Sequence, residues 1–323
     1  LTSELILLFL YIGYMALTAA IDDPRRADKA GGLLLLVGVV NRTKSWWAAR
    51  KGPRIVQFAF DLWRLLGKRP VESTTATALF RAGAWIVLIA GVLAAAMAPM
   101  LGQFAPLQFS HDFIVVAYAM GLARIALMLS AMDVGSSFEG MGAAREAAFS
   151  TYAEPALFLL IGTAGAATGM TSFADLIGHL HHTPYYAIVV VPLVVCLLIL
   201  LQAEAARVPV DDPLTHLELT MIHEVMILDH SGPELAAMQF AAALKMTLYA
   251  GLIAALVNPF DPLTMPVAAV LTSFAVMIGV GGVVGCVESL TARLPMRWVT
   301  RYISIASLAV LACMVVIGVG VSN

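Results

Sequence analysis

The chain has 323 residues, of which 60% are hydrophobic and 12% charged, with a formal net charge of −2 and a mean hydropathy of +0.88. Soluble domains carry about 25% charged residues, so a water-soluble catalytic domain is excluded, and the near-neutral charge offers no hold on nucleic acid. The three cysteines, Cys196, Cys286 and Cys313, lie in apolar stretches without CxxC spacing. They read as small buried hydrophobes rather than cluster ligands, which come as about four thiolates at tight spacings.

A bilayer core takes about 20 apolar residues per helix. Eight such stretches occur, at 4–21, 79–101, 111–131, 151–170, 184–204, 235–257, 264–287 and 301–321. The predicted fold is therefore an all-α polytopic membrane protein forming one domain over residues 1–323. No basic region precedes the first run, so no cleavable signal is expected. The apolar run 31–40 is too short to span and is expected to lead along the membrane surface. Residues 44–67 mix Trp46, Trp47, Phe58, Phe60 and Trp63 with Lys44, Arg50, Lys51, Arg54 and Arg64. That composition predicts an interfacial helix pair broken at Gly52-Pro53.

Of the 19 Lys and Arg, all but Arg124 and Lys245 fall after spans 1, 3, 5 and 7 or at the span ends beside them. The positive-inside rule then puts those segments in the cytoplasm and both termini outside. Arg124 and Lys245 fall about halfway along spans. A charge at mid-bilayer costs at least about 2.5–3.5 kcal/mol on insertion scales, so each needs a partner. Glu154 precedes Pro155 at the start of a span, where a freed carbonyl and a carboxylate suit a wet path. The segment Asp133–Glu146 reads as a flexible acidic cytoplasmic loop.

The richest stretch runs from Glu204 to Glu234. It holds Arg207, Asp211, Asp212, Glu218, Glu224 and Asp229 together with His216, His223 and His230. Crowded carboxylates raise one another's pKa toward neutrality, as a proton relay requires. An acidic docking face for a partner is the plainer reading, and the two are compatible. The three histidines recur every seven residues and would share one helix face, about 10.5 Å apart along the axis. That is too far for one metal. His223-Glu224 begins like HExxH, but Ile227 stands where the second His would be. Titration near neutral pH is the better use of these imidazoles. The outer triplet His179, His181 and His182 reads as solvated.

Three motifs carry a family resemblance. The first runs from Asn41-Arg42-Thr43-Lys44 through Arg50-Lys51-Gly52-Pro53 to Gln57 and Asp61-Leu62. The second is Gly142-Ala143-Ala144-Arg145-Glu146 leading to Glu154-Pro155. The third, and most specific, is Glu204-Ala205-Ala206-Arg207-Val208-Pro209-Val210-Asp211-Asp212-Pro213 through Thr215-His216-Leu217-Glu218 to His223-Glu224. Over residues 40–300 the chain resembles the quinone-site membrane subunit of respiratory complex I. It is more similar to that subunit's relatives in membrane-bound, energy-converting [NiFe] hydrogenases. Val210 and His216 depart from the quinone-reducing pattern and point away from a quinone pocket. The polar residues Asp22–Lys29 fall where the family has an uninterrupted first helix.

The resemblance implies a membrane anchor and coupling subunit in the bacterial or archaeal cytoplasmic membrane. It implies no cofactor in this chain, with the NiFe site and iron–sulfur clusters in partner hydrogenase large and small subunits and an iron–sulfur subunit. Antiporter-like membrane subunits would stand alongside. Charge or proton relay would fall to Glu154, Glu204, Arg207, Asp211, Asp212, His216, Glu218, His223, Glu224, Asp229 and Lys245. Partner docking would fall to Arg50, Lys51, Gly52, Pro53, Arg145 and Glu146. Two rivals remain: the quinone-site subunit of a complex I-type oxidoreductase, and a stand-alone ion carrier.

Overall fold

The computed structural model describes residues 32–71, 73–182, 186–212 and 221–322. Among them are ten α-helices and no β-strand. They are α1 (Gly32–Trp47), α2 (Gln57–Leu66), α3 (Ala78–Met97), α4 (Asp112–Asp133) and α5 (Ser137–Thr168). There follow α6 (Phe173–Leu180), α7 (Tyr186–Glu204), α8 (Gly232–Val257), α9 (Pro266–Leu290) and α10 (Met296–Ser322). The helices α3, α4, α7, α8 and α9 are long and apolar enough to cross a membrane. In lipid every backbone N–H and C=O must be satisfied within the segment, which leaves the helix as the form for such apolar stretches. The chain is a multi-pass helical membrane protein. The stretch 4–21 and the polar residues Asp22–Lys29 lie outside the described residues.

The helix α8 stands at the centre, buried along most of its length, with α1, α2, α3, α7 and α9 packed on it. The helix α10 closes the bundle against α5 and α7. Alanine and glycine line many of these contacts, and small residues let backbones approach where lipid supplies no hydrophobic drive.

From Gly32 the run 31–40 continues through Lys44 as the single helix α1, whose Leu36, Val37 and Val40 are buried, and which lies against α9. Close approach is possible because Gly285 presents no side chain to Val40 and Thr43. The segment Asp133–Glu146 is not a loop beyond its first residues, since α5 starts at Ser137 and runs unbroken through Pro155. His223 and His230 share no helix face, because a 3₁₀ turn at Glu224–Ile227 lies between them. The break at Gly52-Pro53 is as expected, and beyond it α2 is amphipathic, with Ala59 and Leu62 inward and Trp63 and Leu66 outward.

The contact at Gly285 gives a direct test. Gly285→Val drives a branched side chain into Val40 and Thr43, and overpacking of this kind costs about 1–3 kcal/mol. Gly279 on the same helix meets open space. The thermal midpoint of the detergent-solubilised protein is expected to fall in Gly285→Val and to hold in Gly279→Ala.

Candidate functional site

Arg124 sits midway along α4 and is 3% exposed. Three carboxylates surround it. Its Nε lies 3.2 Å from Glu146 Oε1, its Nη1 lies 2.5 Å from Glu154 Oε1, and its Nη2 bonds Glu204 Oε1. The partners come from α5, at two positions eight residues apart, and from the last residue of α7. On the far side, Lys245 Nζ of α8 lies 3.7 Å from Glu204 Oε2. Burying these charges is costly, and only close, multiple pairing offsets the loss of hydration.

The cluster continues into the segment before α8. His223 Nε2 lies 3.3 Å from Glu146 Oε2 and its Nδ1 lies 3.7 Å from Asp211 Oδ2. Asp211 accepts the backbone N–H groups of Ile222 and His223 at 3.2 and 3.0 Å, and Arg293 Nη2 approaches it at 3.1 Å. Burial alone would raise the Asp211 carboxyl, but His223 and Arg293 outweigh it and hold it below the usual carboxylate range. Burial alone would lower the His223 imidazole, but Glu146 and Asp211 outweigh it and lift the group above its ordinary value.

Local geometry explains how the segment reaches α5. A side chain at Gly142 would collide with Val225, Met226 and the Ile222 carbonyl, so glycine there lets residues 221–227 lie directly on the helix. Arg145 Nη1 donates to the Met221 carbonyl at 2.8 Å. Further along, His230 is buried, stacks on Phe80 with ring centroids 3.8 Å apart, and pairs with Ser130 Oγ at 3.0 Å. Burial pushes its imidazole down to about 4, so it stays neutral at working pH and acts in packing rather than in titration.

Two cavities flank the cluster. One, of about 490 Å³, lies among α1, α2, α7 and α8. Its wall is apolar at Val37, Phe58 and Met238 and polar at Glu204, Arg207, His223, Glu224 and Lys245. The other, of about 450 Å³, opens between α4 and α5 among Tyr118, Leu122, Ile125 and Phe158. The half-exposed Glu154 side chain lines it together with Arg124 and Tyr249. Glu204 lines both cavities. An arrangement of this kind can hold protons on linked groups and pass charge between the polar ends of two largely apolar cavities.

The structure joins Glu154, Glu204, Asp211, His223 and Lys245 in one cluster. Asp212 and Glu224 are half-buried beside it. Arg207 instead pairs with Glu288 of α9 at 3.5 Å, and Lys44 of α1 reaches the same carboxylate at 2.8 Å. Asp229 is exposed at the far end of the segment. His216 and Glu218 lie outside the described residues. Arg50, Lys51 and Pro53 are exposed and Gly52 is half-buried.

Glu146 is 5% exposed and faces Arg124 and His223, and Arg145 turns toward Met221, because both lie on the side of α5 that carries the 221–231 segment. The hub itself, Arg124, was legible only as an intramembrane charge needing partners. Arg293 and Glu139 carried no local signal.

The fold and the buried ionised cluster define a polytopic membrane subunit with a charge-bearing interior. A family model described as NADH dehydrogenase matches residues 30–319, and the chain belongs to that family. It is 29% identical over 251 residues to hydrogenase-4 component C of Escherichia coli K12, covering 76% of this chain and 77% of that protein. It is 26% identical over 212 residues to formate hydrogenlyase subunit 4 of the same strain, covering 65% and 68%. A chain of the membrane-bound sulfane sulfur reductase, an archaeal respiratory membrane complex, shares the fold with a TM-score of 0.78 at 17% identity, over 98% of this chain and 100% of that one.

Removing Arg124 strands Glu146 and Glu204 in the bundle interior. Breaking one side of a buried pair costs about 3–5 kcal/mol. Arg124→Met is expected to lower the amount of folded chain in the membrane and its thermal midpoint. Adding Glu204→Gln should recover part of the loss, and a double-mutant cycle on the midpoints measures the coupling.

Proposed function

We propose that this chain is the membrane anchor and coupling subunit of an energy-converting [NiFe] hydrogenase complex. The observation that carries the reading is the position of Glu204, which lines both cavities and is paired with Arg124 and Lys245. The similarity to hydrogenase-4 component C and formate hydrogenlyase subunit 4 supports the hydrogenase branch. In this reading the whole chain acts as one domain in the cytoplasmic membrane, with its cation-rich segments on the cytoplasmic side and both termini outside. Partner large and small subunits and an iron–sulfur subunit hold the NiFe site and the clusters, and the exposed Arg50-Lys51-Gly52-Pro53 corner helps dock them.

Electron transfer at that face alters the charge balance around Glu224, His223 and Asp211. The change passes through Glu146, Glu204 and Arg124 to Glu154 and on to antiporter-like membrane subunits. His216 and Glu218 belong to the cytoplasmic entry of this path, and Arg207 pairs with Glu288 beside it. A second reading, the quinone-site subunit of a complex I-type oxidoreductase, is favoured by the larger cavity. That cavity is apolar along one wall and carries Lys245 and His223 at the other, a layout suited to a ring with a polar edge and a hydrophobic tail.

Mass and metal analysis of the complex purified through a tag on this chain separates the two. Nickel and a hydrogenase subunit support the first reading, and bound quinone without nickel supports the second. Within the first, Glu204→Gln is expected to keep hydrogen evolution from artificial donors while the membrane-coupled rate falls by about tenfold or more. Undiminished coupled pumping in both Glu204→Gln and Glu218→Gln would overturn the relay.

A further inference from the structure

Glu139 stands two residues into α5, on its polar first turns ahead of the apolar stretch. It belongs to none of the groups invoked above, yet it is 1% exposed. Its Oε1 accepts the backbone N–H of Asp229 at 3.2 Å, and its Oε2 is buried with no hydrogen-bond partner. An ordinary structural carboxylate at this depth would have its lone pairs filled, because an unmet buried charge is expensive. This one is instead placed where its ionised form is poorly served. The group it touches is the far end of the segment whose near end holds His223 between Glu146 and Asp211.

That segment rests on α5 at three places: Arg145 on the Met221 carbonyl, Gly142 under Val225 and Met226, and Glu139 on the Asp229 N–H. The first two do not change with protonation near neutral pH. We infer that Glu139 is a positioning residue that clamps residues 221–231 to α5 when protonated and loosens them when ionised, and so sets how firmly His223 is held in the charge cluster.

The charge balance supports this. Burial and the neighbouring Asp229 carboxylate together outweigh the Asp229 N–H and push the Glu139 carboxyl up from 4.5 to about 7. When the segment lifts, the carboxyl meets water and returns to its ordinary value. The clamped state therefore binds the proton more tightly. Its hold is undiminished below pH 4.5, weakens as pH rises toward 7, and stays weak above.

Other ionisable groups lie on the elements packed around this contact. Asp229, His223, Glu224 and His230 lie on the segment, Arg145 and Glu146 on α5, and Asp133 at the end of α4, where it caps α3 through the Thr77 and Phe80 N–H groups. His230, buried and neutral, works in the opposite direction, since lifting would let it take up a proton below pH 6.5. A single pH profile of the native chain is therefore a sum of opposing effects, and the clamp must be read as a difference between two chains that share every other group.

The experiment is amide hydrogen exchange of residues 221–231, as protection factors, between pH 5.5 and 8 on the detergent-solubilised complex. The native chain is compared with Glu139→Gln, which keeps the acceptor and removes the ionisation. The ratio of protection in Glu139→Gln to that in the native chain is expected to grow by about tenfold or more across this range. In Glu139→Ala, which removes the acceptor, protection should be low at every pH. A ratio that does not change with pH, or native-like protection in Glu139→Ala, overturns the proposal. The measurement reads no hydrogenase turnover, so its failure and the failure of the proposed function are separately visible. If the proposed function also holds, the coupled rate of Glu139→Gln should lose pH dependence between pH 5.5 and 8 that the native complex shows.

Discussion

An arginine in the middle of an apolar helix has to be matched by carboxylates or it does not belong there. Arg124 is matched three times, by Glu146, Glu154 and Glu204, from two other helices. The two buried ones, Glu146 and Glu204, are in turn tolerable only because Arg124, Lys245 or His223 is near. The mutual dependence fixes how α4, α5, α7 and α8 sit against one another more tightly than apolar contact could, since lipid tails are as apolar as leucine and give helices little reason to associate. Four basic groups (Arg124, Lys245, His223 and Arg293) meet four carboxylates (Glu146, Glu154, Glu204 and Asp211). Because these groups touch one another, a proton gained or lost at one of them alters the charge its neighbours face, which is the property a relay uses.

The cluster is reached through a segment rather than a helix. Residues 221–231 are short of regular structure but rich in anchors: Asp211 at the start, α5 along the length, and Phe80 with Ser130 at the end. Such a segment has few ways to move in part, since its anchors share a backbone. That is why a poorly served carboxylate at one end can bear on an imidazole near the other. A second ionic knot, Lys44 and Arg207 on Glu288, ties α1 and the end of α7 to α9 on the other side of the larger cavity. The cavity is thus lined by Glu204, His223 and Lys245 of the first cluster, by Arg207 of the second, and by apolar side chains, whichever molecule or solvent fills it.

Much of this could be read along the chain. The apolar stretches, the positive-inside asymmetry and the specific run from Glu204 to Glu224 follow from local composition, and they located the helices, the family and most of the charged groups now seen together. The segment Asp133–Glu146 was misread as a loop because it was judged by local polarity. Lys44 is acceptable in a helix because Glu288 waits on α9, and Glu146 is acceptable inside because Arg124 waits on α4. A polar residue marks a surface only if no opposite charge meets it in the interior.

The sequence by itself determined that this chain lies in a membrane as a bundle of helices, and that Arg124 and Lys245 need partners there, because the cost of a bare charge in lipid depends on little beyond its depth. Only the tertiary structure decided which partners those are, that Glu204 stands between two cavities, and that Glu139 and Arg293 take part at all. Those facts rest on contacts between residues far apart in the chain, and their strength comes from shared burial, a quantity that exists only once the helices have come together.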